Sequence, residues 1–357
     1  MSEPNVITRD DLSGSLIPDQ VSKEIIQAMP QSSVIMTRAK KVPMSAKKDK
    51  QPVLASLPDA YWVSEGGLKQ TTKTGWEDVT MTAEEMAVIV PIPDSVVDDS
   101  QINLWDTIKP LIAEAMGKKV DQAAIFGIDK PASWGTDILA GATAADNNVA
   151  EGTGKDLADD VAKLGRKLSE AGFALNGFAT MPGFGWQLAG LRNANGTPIY
   201  VPSLAQGKPS TLYGYPLNEV MNGAWTTDKA VLLGADWTKF VYGVRQDIRY
   251  QVFDQGVISD EDGKVVYNLM QQDSQALRVV MRVGFAVANP LTRVKKKGQQ
   301  YPAGFITPAA PASPGTKKAP VDDKETKKAP VDDKETKKAP VDDKETKKAP
   351  VDDQDAK

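Results

Sequence analysis

Residues 103–127 read NLWDTIKPLIAEAMGKKVDQAAIFG. Leu104, Ile108, Leu111, Ala115, Val120 and Ala123 recur at three- to five-residue steps, the spacing of an apolar stripe on a long helix. Asn103, or alternatively Ser100, is placed to cap it, because a short polar side chain accepts from the free N–H groups of a first turn. Gly127 is a natural stop, since glycine enters the left-handed conformation without steric cost. Pro110 lacks an N–H and predicts either a kink or the true start of the helix. A second helix is expected over 156–171, where Leu157, Val161, Leu164 and Leu168 form one stripe before Gly172, and a shorter one over 182–191. Strand patterns occupy 178–181, 231–233, 240–242, 248–253 and, longest, 276–288. In that last segment Leu277, Val279, Met281, Val283, Phe285 and Val287 share one face, with Arg278 and Arg282 on the other. Helices and antiparallel strands mix without regular alternation, which makes the fold class α+β.

Upstream, residues 12–30 (LSGSLIPDQVSKEIIQAMP) read as an arm with a short amphipathic turn. Residues 38–82 are rich in Lys, Thr, Ser, Pro and Gly, with alternating runs at Ala60–Val63 and Trp76–Met81. They predict a long two-stranded excursion with little core of its own. An isolated hairpin is marginal in water, so this one must rest on its parent domain or on a neighbouring subunit.

Across 357 residues the chain is 41% hydrophobic and 25% charged, with a net charge of -4. That balance gives no broad attraction to nucleic acid or to an anionic membrane. No apolar run has the length of a transmembrane helix, and the start MSEPNVITRDD lacks signal-peptide features, so a cytoplasm-like compartment is expected. There is no cysteine and no histidine. Ser-His-Asp and Cys-His catalysis, thiol redox chemistry and the usual zinc sites are thereby removed. Carboxylate-pair and carboxylate–magnesium chemistry remain open, and a carboxylate-based enzyme is kept as a third reading of function.

The C-terminal stretch repeats TKKAPVDDKE from Thr316, Thr326 and Thr336, and ends with TKKAPVDDQD from Thr346. Copies this short, each with proline and few apolar side chains, cannot offset their ordering entropy, and disorder is expected. From Thr316 to Lys357 there are 12 lysines and 12 Asp plus Glu. Counterion release needs net cationic clusters, so a solvated brush displayed on an exterior is favoured over a DNA-binding arm.

In this order the parts resemble the major capsid proteins of tailed bacteriophages with the Hong Kong 97-type fold. Ala60-Tyr61-Trp62-Val63-Ser64-Glu65-Gly66-Gly67 is similar to the family's extended-loop motif. Val88–Ser100 resembles the approach to the spine helix, and Asp121–Gly127 its close. Gly214-Tyr215-Pro216-Leu217, Leu233–Trp237 and Arg282–Pro290 resemble later strand motifs. Residues 15–294 are covered. The resemblance implies an N-terminal arm (1–37), an extended β-hairpin loop (38–82), and a peripheral domain with a long spine helix (83–134 and 276–306). An axial domain (135–275) and a disordered linker with repeats (307–357) complete it.

Function follows as an expectation: hexamers and pentamers closing into an icosahedral shell around double-stranded DNA, bound non-specifically. The virion is the implied location, with assembly in the host cytoplasm, and no membrane, cofactor, metal or catalytic residue is implied. Besides copies of itself, the implied partners are a portal and a separate scaffolding protein, and the resemblance also allows a decoration protein. An encapsulin-type compartment is the alternative. Trp62, Glu65, Lys69, Trp76, Trp105, Arg278 and Arg282 are the candidate inter-subunit contacts, since aromatic side chains in strands and helices anchor packing or subunit contacts. Some relatives weld subunits by a Lys–Asn isopeptide bond assisted by a glutamate. Lys47, Lys48, Lys50, Lys69 and Lys73 are available as donors, but the asparagine position falls on Asp273 and the glutamate position on Val280, so no cross-link is expected.

Two local motifs have simpler readings. Gly152-Thr153-Gly154-Lys155-Asp156 lacks the earlier glycine and the hydroxyl of a phosphate loop, and reads as a helix-starting loop. Asp98-Asp99, Asp159-Asp160 and Asp260-Glu261-Asp262 lack calcium-loop spacing and read as solvated loops or helix starts.

Overall fold

The long helix forms from Leu104 to Phe126: the Asn103 side chain accepts from Asp106 N–H, and Gly127 closes it at φ 67°. The computed structural model describes residues 32–100, 103–191, 210–260 and 262–309. Most of the expected arm and all of the repeats lie outside them.

In chain order the elements are α1 (Val34–Arg38), β1 (Lys40–Pro43), β2 (Lys48–Ser56), β3 (Gly75–Thr82), β4 (Glu84–Pro93), α2 (Asp94–Asp99) and α3 (Leu104–Phe126). They continue as α4 (Ile138–Ala144), β5 (Asn148–Ala150), α5 (Leu157–Glu170), β6 (Gly177–Thr180), α6 (Phe184–Gly190), β7 (Thr211–Leu212), β8 (Tyr215–Glu219) and β9 (Leu232–Ala235). The last are β10 (Phe240–Phe253), β11 (Val257–Ser259), β12 (Val265–Asn268), β13 (Ser274–Val287) and β14 (Ala303–Thr307).

One sheet has the order β1-β10-β13-β4, and a six-stranded sheet has the order β5-β14-β9-β6-β8-β7. The inner face of β13, with Leu277, Val279, Met281 and Val283, joins Ile112, Met116 and Val120 of α3 in one buried cluster. That cluster continues through Trp237, Phe240 and Phe285 to Ala179, Leu233 and Phe305 of the six-stranded sheet. Phe240 stacks on Phe285 at 6.4 Å between ring centres. On the second sheet, α5 buries Val161 and Leu164 against Phe178, Leu232 and Ile306.

Several expectations need correction. The buried stripe of α3 runs through Ile112 and Met116, while Leu111 (41%) and Ala115 are exposed. Met116 offers more apolar area than Ala115, and the helix turns its larger groups inward. The helix also passes through Pro110 rather than starting there. Residues 240–253 form one strand, not two, because register shifts between Val244, Gln246 and Arg249 absorb the polar stretch that seemed to end it. The first hairpin strand is Lys48–Ser56, and Ala60–Val63 lies in the connection. Pro52 hid that strand, and a two-stranded ribbon has only edges, where proline is tolerated. Strand β10 pairs in the first sheet and β14 in the second.

A buried carboxylate ties α1 to α3. Asp121 Oδ1 accepts from Ser33 Oγ (2.6 Å) and Ile35 N–H (3.0 Å), and Oδ2 from Val34 N–H (3.1 Å) and Asn222 Nδ2 (2.8 Å). Burial pushes its carboxyl above the ordinary range, and the four hydrogen bonds oppose that shift. The hairpin β2–β3 is held at its root, where Met81 and Ala83 pack with Met44, Val241 and Ala286. Gly243 faces Gly284 across β10 and β13, and the missing side chains leave the groove that Met81 fills.

A Cβ at Gly284 would lie 2.9 Å from the backbone oxygen of Thr82, whereas one at Gly243 would meet only the flexible tips of Met44 and Met81. We therefore expect Gly284→Ala to cost about 1–3 kcal/mol, as overpacking does, and Gly243→Ala to cost less. Thermal unfolding of the two variants checks the order; equal losses would contradict it. Asp121→Asn turns an amide N–H₂ toward two donors, at roughly 1–3 kcal/mol for each left unmet. Chemical denaturation should register that loss, and an unchanged midpoint would refute the role given to the carboxylate.

Candidate subunit interface

The candidate residues fall into two groups. The first is on the hairpin. Between β2 and β3, residues 57–74 cross without strand structure, and Trp62 is fully exposed. Glu65 and Lys69 are exposed, as are Leu68 (93%) and, on β3, Trp76 (67%). The loop is nevertheless shaped: Gly67 N–H donates to Ser64 O at 2.9 Å across a turn in which Gly66 takes φ 76°. Asp59 N–H donates to Thr72 Oγ1 (3.1 Å), and Tyr61 Oη donates to Thr71 O (3.3 Å). Only at a glycine is that positive φ free of strain.

The second group lies on the outer face of the first sheet. Arg282 Nε donates to Glu85 Oε2 at 2.7 Å, between residues directly paired across β13 and β4. Arg278 donates to Gln251 Oε1 at 2.6 Å, and its guanidinium sits 4.7 Å from the Phe253 ring centre. No hydrogen bond, ion pair or ring contact joins the two groups among the described residues. Trp105 belongs to neither: it is half-buried and packs on its own chain's core beside Leu104 and Ile92.

The remaining motifs resolve into internal contacts. In the glycine-rich loop before α5, Asp160 accepts from Gly152 N–H (2.8 Å), Gly154 N–H (2.6 Å) and Thr153 Oγ1 (3.0 Å). A buried carboxylate of the chain therefore occupies the cradle that a phosphate would need. Asp159 accepts from Lys155 N–H, which with Lys163 holds its carboxyl below the ordinary range. Among the described residues no three His, Cys, Asp or Glu side chains are placed to hold a metal ion. Likewise, no described helix is long and apolar enough to cross a membrane. Val280 is half-buried on β13 and faces Arg249 and Ala87, so no carboxylate stands directly opposite it.

Sequence reasoning missed Leu68, whose exposure depends on the loop path, and an apolar cleft between α3 and β4 with Met86, Val88, Met116, Val120 and Trp134 in its wall. A spaced cleft of this kind joins residues from distant segments and leaves no local signal.

Residues 13–295 match the model of the phage capsid family. The major capsid protein of Staphylococcus phage 80alpha is 28% identical over 288 residues, 80% of this chain and 85% of that one. A solved structure from Microbacterium phage Oxtober96 superposes with a TM-score of 0.72 at 33% identity, covering 84% of this chain and 99% of that one. The capsid of a native GTA particle shares the fold, with a TM-score of 0.61 at 19% identity over 85% of this chain.

The exposures separate interface from core. We expect Trp62→Ala to leave the stability of the unassembled subunit within about 0.5 kcal/mol, as for exposed positions generally. Trp105→Ala should lower it by more than about 1 kcal/mol through lost packing. Denaturant titration of both variants measures this, and comparable losses would undo the distinction.

Proposed function

This chain belongs to the phage capsid family, and we propose that its copies assemble through the hairpin and the outer sheet face into a closed virion shell around double-stranded DNA. The observation that carries the proposal is a shaped loop whose largest apolar side chains are left uncovered. Trp62, Leu68 and Trp76 stand in water on a ribbon that residues 291–297 hold along one side, where Leu291 N–H donates to Leu54 O (3.0 Å) and Arg293 pairs with Asp59 (3.2 Å). Large exposed apolar groups of this kind mark contact surfaces, and a family built of repeated subunits supplies the partner. The family match and the named relative favour a phage shell over an encapsulin-type compartment.

In the Hong Kong 97-type description, the hairpin is the extended loop and α3 the spine helix. The peripheral domain is then α3 with the sheet β1-β10-β13-β4, and the axial domain is the six-stranded sheet with α5. Glu65, Lys69 and Trp76 accompany Trp62 on the loop, and Arg278 and Arg282 offer charge on the peripheral sheet. A portal and a separate scaffolding protein, and optionally a decoration protein, complete the assembly. The net charge of -4 suits enclosure of DNA without neutralising it. The role is structural, and no catalytic step is assigned.

Electron microscopy of the purified chain, or of particles containing it, tests the reading: icosahedral shells are expected, and a monomer that never assembles would count against it. With Val280 and Asp273 at the cross-linking positions, boiled and denatured particles should run as single chains. A ladder of covalent oligomers resistant to reductant would overturn the non-covalent reading.

A further inference from the structure

The chain contains three Asn-Gly pairs, at 176–177, 195–196 and 222–223. Asparagine before glycine is the setting in which a backbone nitrogen most easily reaches the preceding side-chain amide, because glycine has no side chain to obstruct the approach. The fold treats the pairs differently. At the first, Gly177 is fixed in β6 opposite Ala235, and Asn176 Oδ1 is held by Trp237 N–H at 2.9 Å. The second lies outside the described residues. The third follows β8, where Asn222 is buried and Gly223 is exposed at φ 71°.

Three features around Asn222 favour attack on its own amide. The Gly223 N–H makes no hydrogen bond among the described residues. Ala224 N–H donates to Asn222 Oδ1 at 3.0 Å. That bond folds the side chain back over Gly223 and sets a donor on the oxygen that takes up negative charge when the carbonyl is attacked. Lys118, without an ion-pair partner among the described residues, brings its Nζ to 3.3 Å from where a Cβ on Gly223 would stand. A cation in that place favours release of the Gly223 amide proton.

We propose that Asn222 is a self-modification site and acts as a slow, one-way latch on α1. The deprotonated Gly223 nitrogen bonds to Asn222 Cγ and the Cγ–Nδ2 bond breaks. The amide leaves as ammonia, taking through solvent the proton that Gly223 lost. Water then opens the five-membered imide at either carbonyl, returns a proton to the Gly223 nitrogen, and leaves aspartate or isoaspartate. The co-reactant is water, which reaches the exposed Gly223. Asn222 Nδ2 is one of the four donors to Asp121, at 2.8 Å. In both products that donor is gone and a second carboxylate is added nearby. Two buried carboxylates in contact cannot both stay ionised, so Ser33, Val34 and Ile35, which hold α1 to α3 through Asp121, lose a fixed acceptor.

The full chain, as folded subunits or as shells, would be held at mildly alkaline pH in heavy-oxygen water, digested in acid, and mapped by mass spectrometry with an isoaspartate assay. Conversion at residue 222 with uptake of heavy oxygen is expected, while Asn176 should stay an amide. An unlabelled Asn222, or equal conversion at Asn176, would overturn the proposal. Lys118→Gln should slow conversion at 222 about fivefold, the effect of a unit charge at contact distance in water, and leave the rate at Asn195 unchanged. Lys118→Arg should keep the original rate. Conversion that proceeds only through unfolding is blind to Lys118, so an equal rate in Lys118→Gln would refute the assisted reaction. Trypsin should also cut after Arg38 faster in aged chains and in Asn222→Asp than in fresh protein; equal cutting would overturn the latch.

Discussion

The packing of α3 against the inner face of β13 is the interaction on which the other parts depend. A fourteen-residue strand places every second side chain on one face, and a helix of more than six turns meets it with Ile112, Met116 and Val120. Once those faces close, three further parts attach to them. The Asp121 carboxylate on α3 fixes the start of α1. Gly284 on β13 admits the root of the hairpin, and Phe285 on the same strand hands the core to Phe240 and the six-stranded sheet. A buried, hydrogen-bonded carboxylate adds little net stability but penalises alternatives strongly, since any misplacement leaves charge and donors unmet.

Much of this was legible in local pattern. Asn103 and Gly127 bound the helix because caps act within one turn, and the alternation of Leu277 to Phe285 marks a strand whichever partner it finds. What was not legible is set by distant competition. Whether Leu111 or Ile112 turns inward depends on the surface waiting for the helix. The bulges that carry β10 through Gln246 and Arg249 depend on β13 continuing beside it. β14 is only five residues, between Pro302 and Pro308, and becomes a strand by completing a gap between β5 and β9. Among the interface candidates, the exposure of Trp62 followed from weak local support for the loop. Trp105 looked equivalent in sequence and is taken up by its own core, because nothing local distinguishes the two environments.

The subunit is therefore unevenly finished, and the unevenness has a direction. Burying one leucine is worth roughly 1.5–3 kcal/mol, so a chain that leaves Leu68 and Trp62 in water withholds that stabilisation until another surface arrives. Trp62 and Leu68 are almost wholly exposed in one copy, so on the shell reading their burial comes from a neighbour. Each such contact is small beside the roughly 1,600 Å² of an ordinary stable interface, so a single pair would hold weakly and a misplaced copy could leave. In a closed shell the same weak contact repeats around every copy, so the whole is stable while each single step stays reversible.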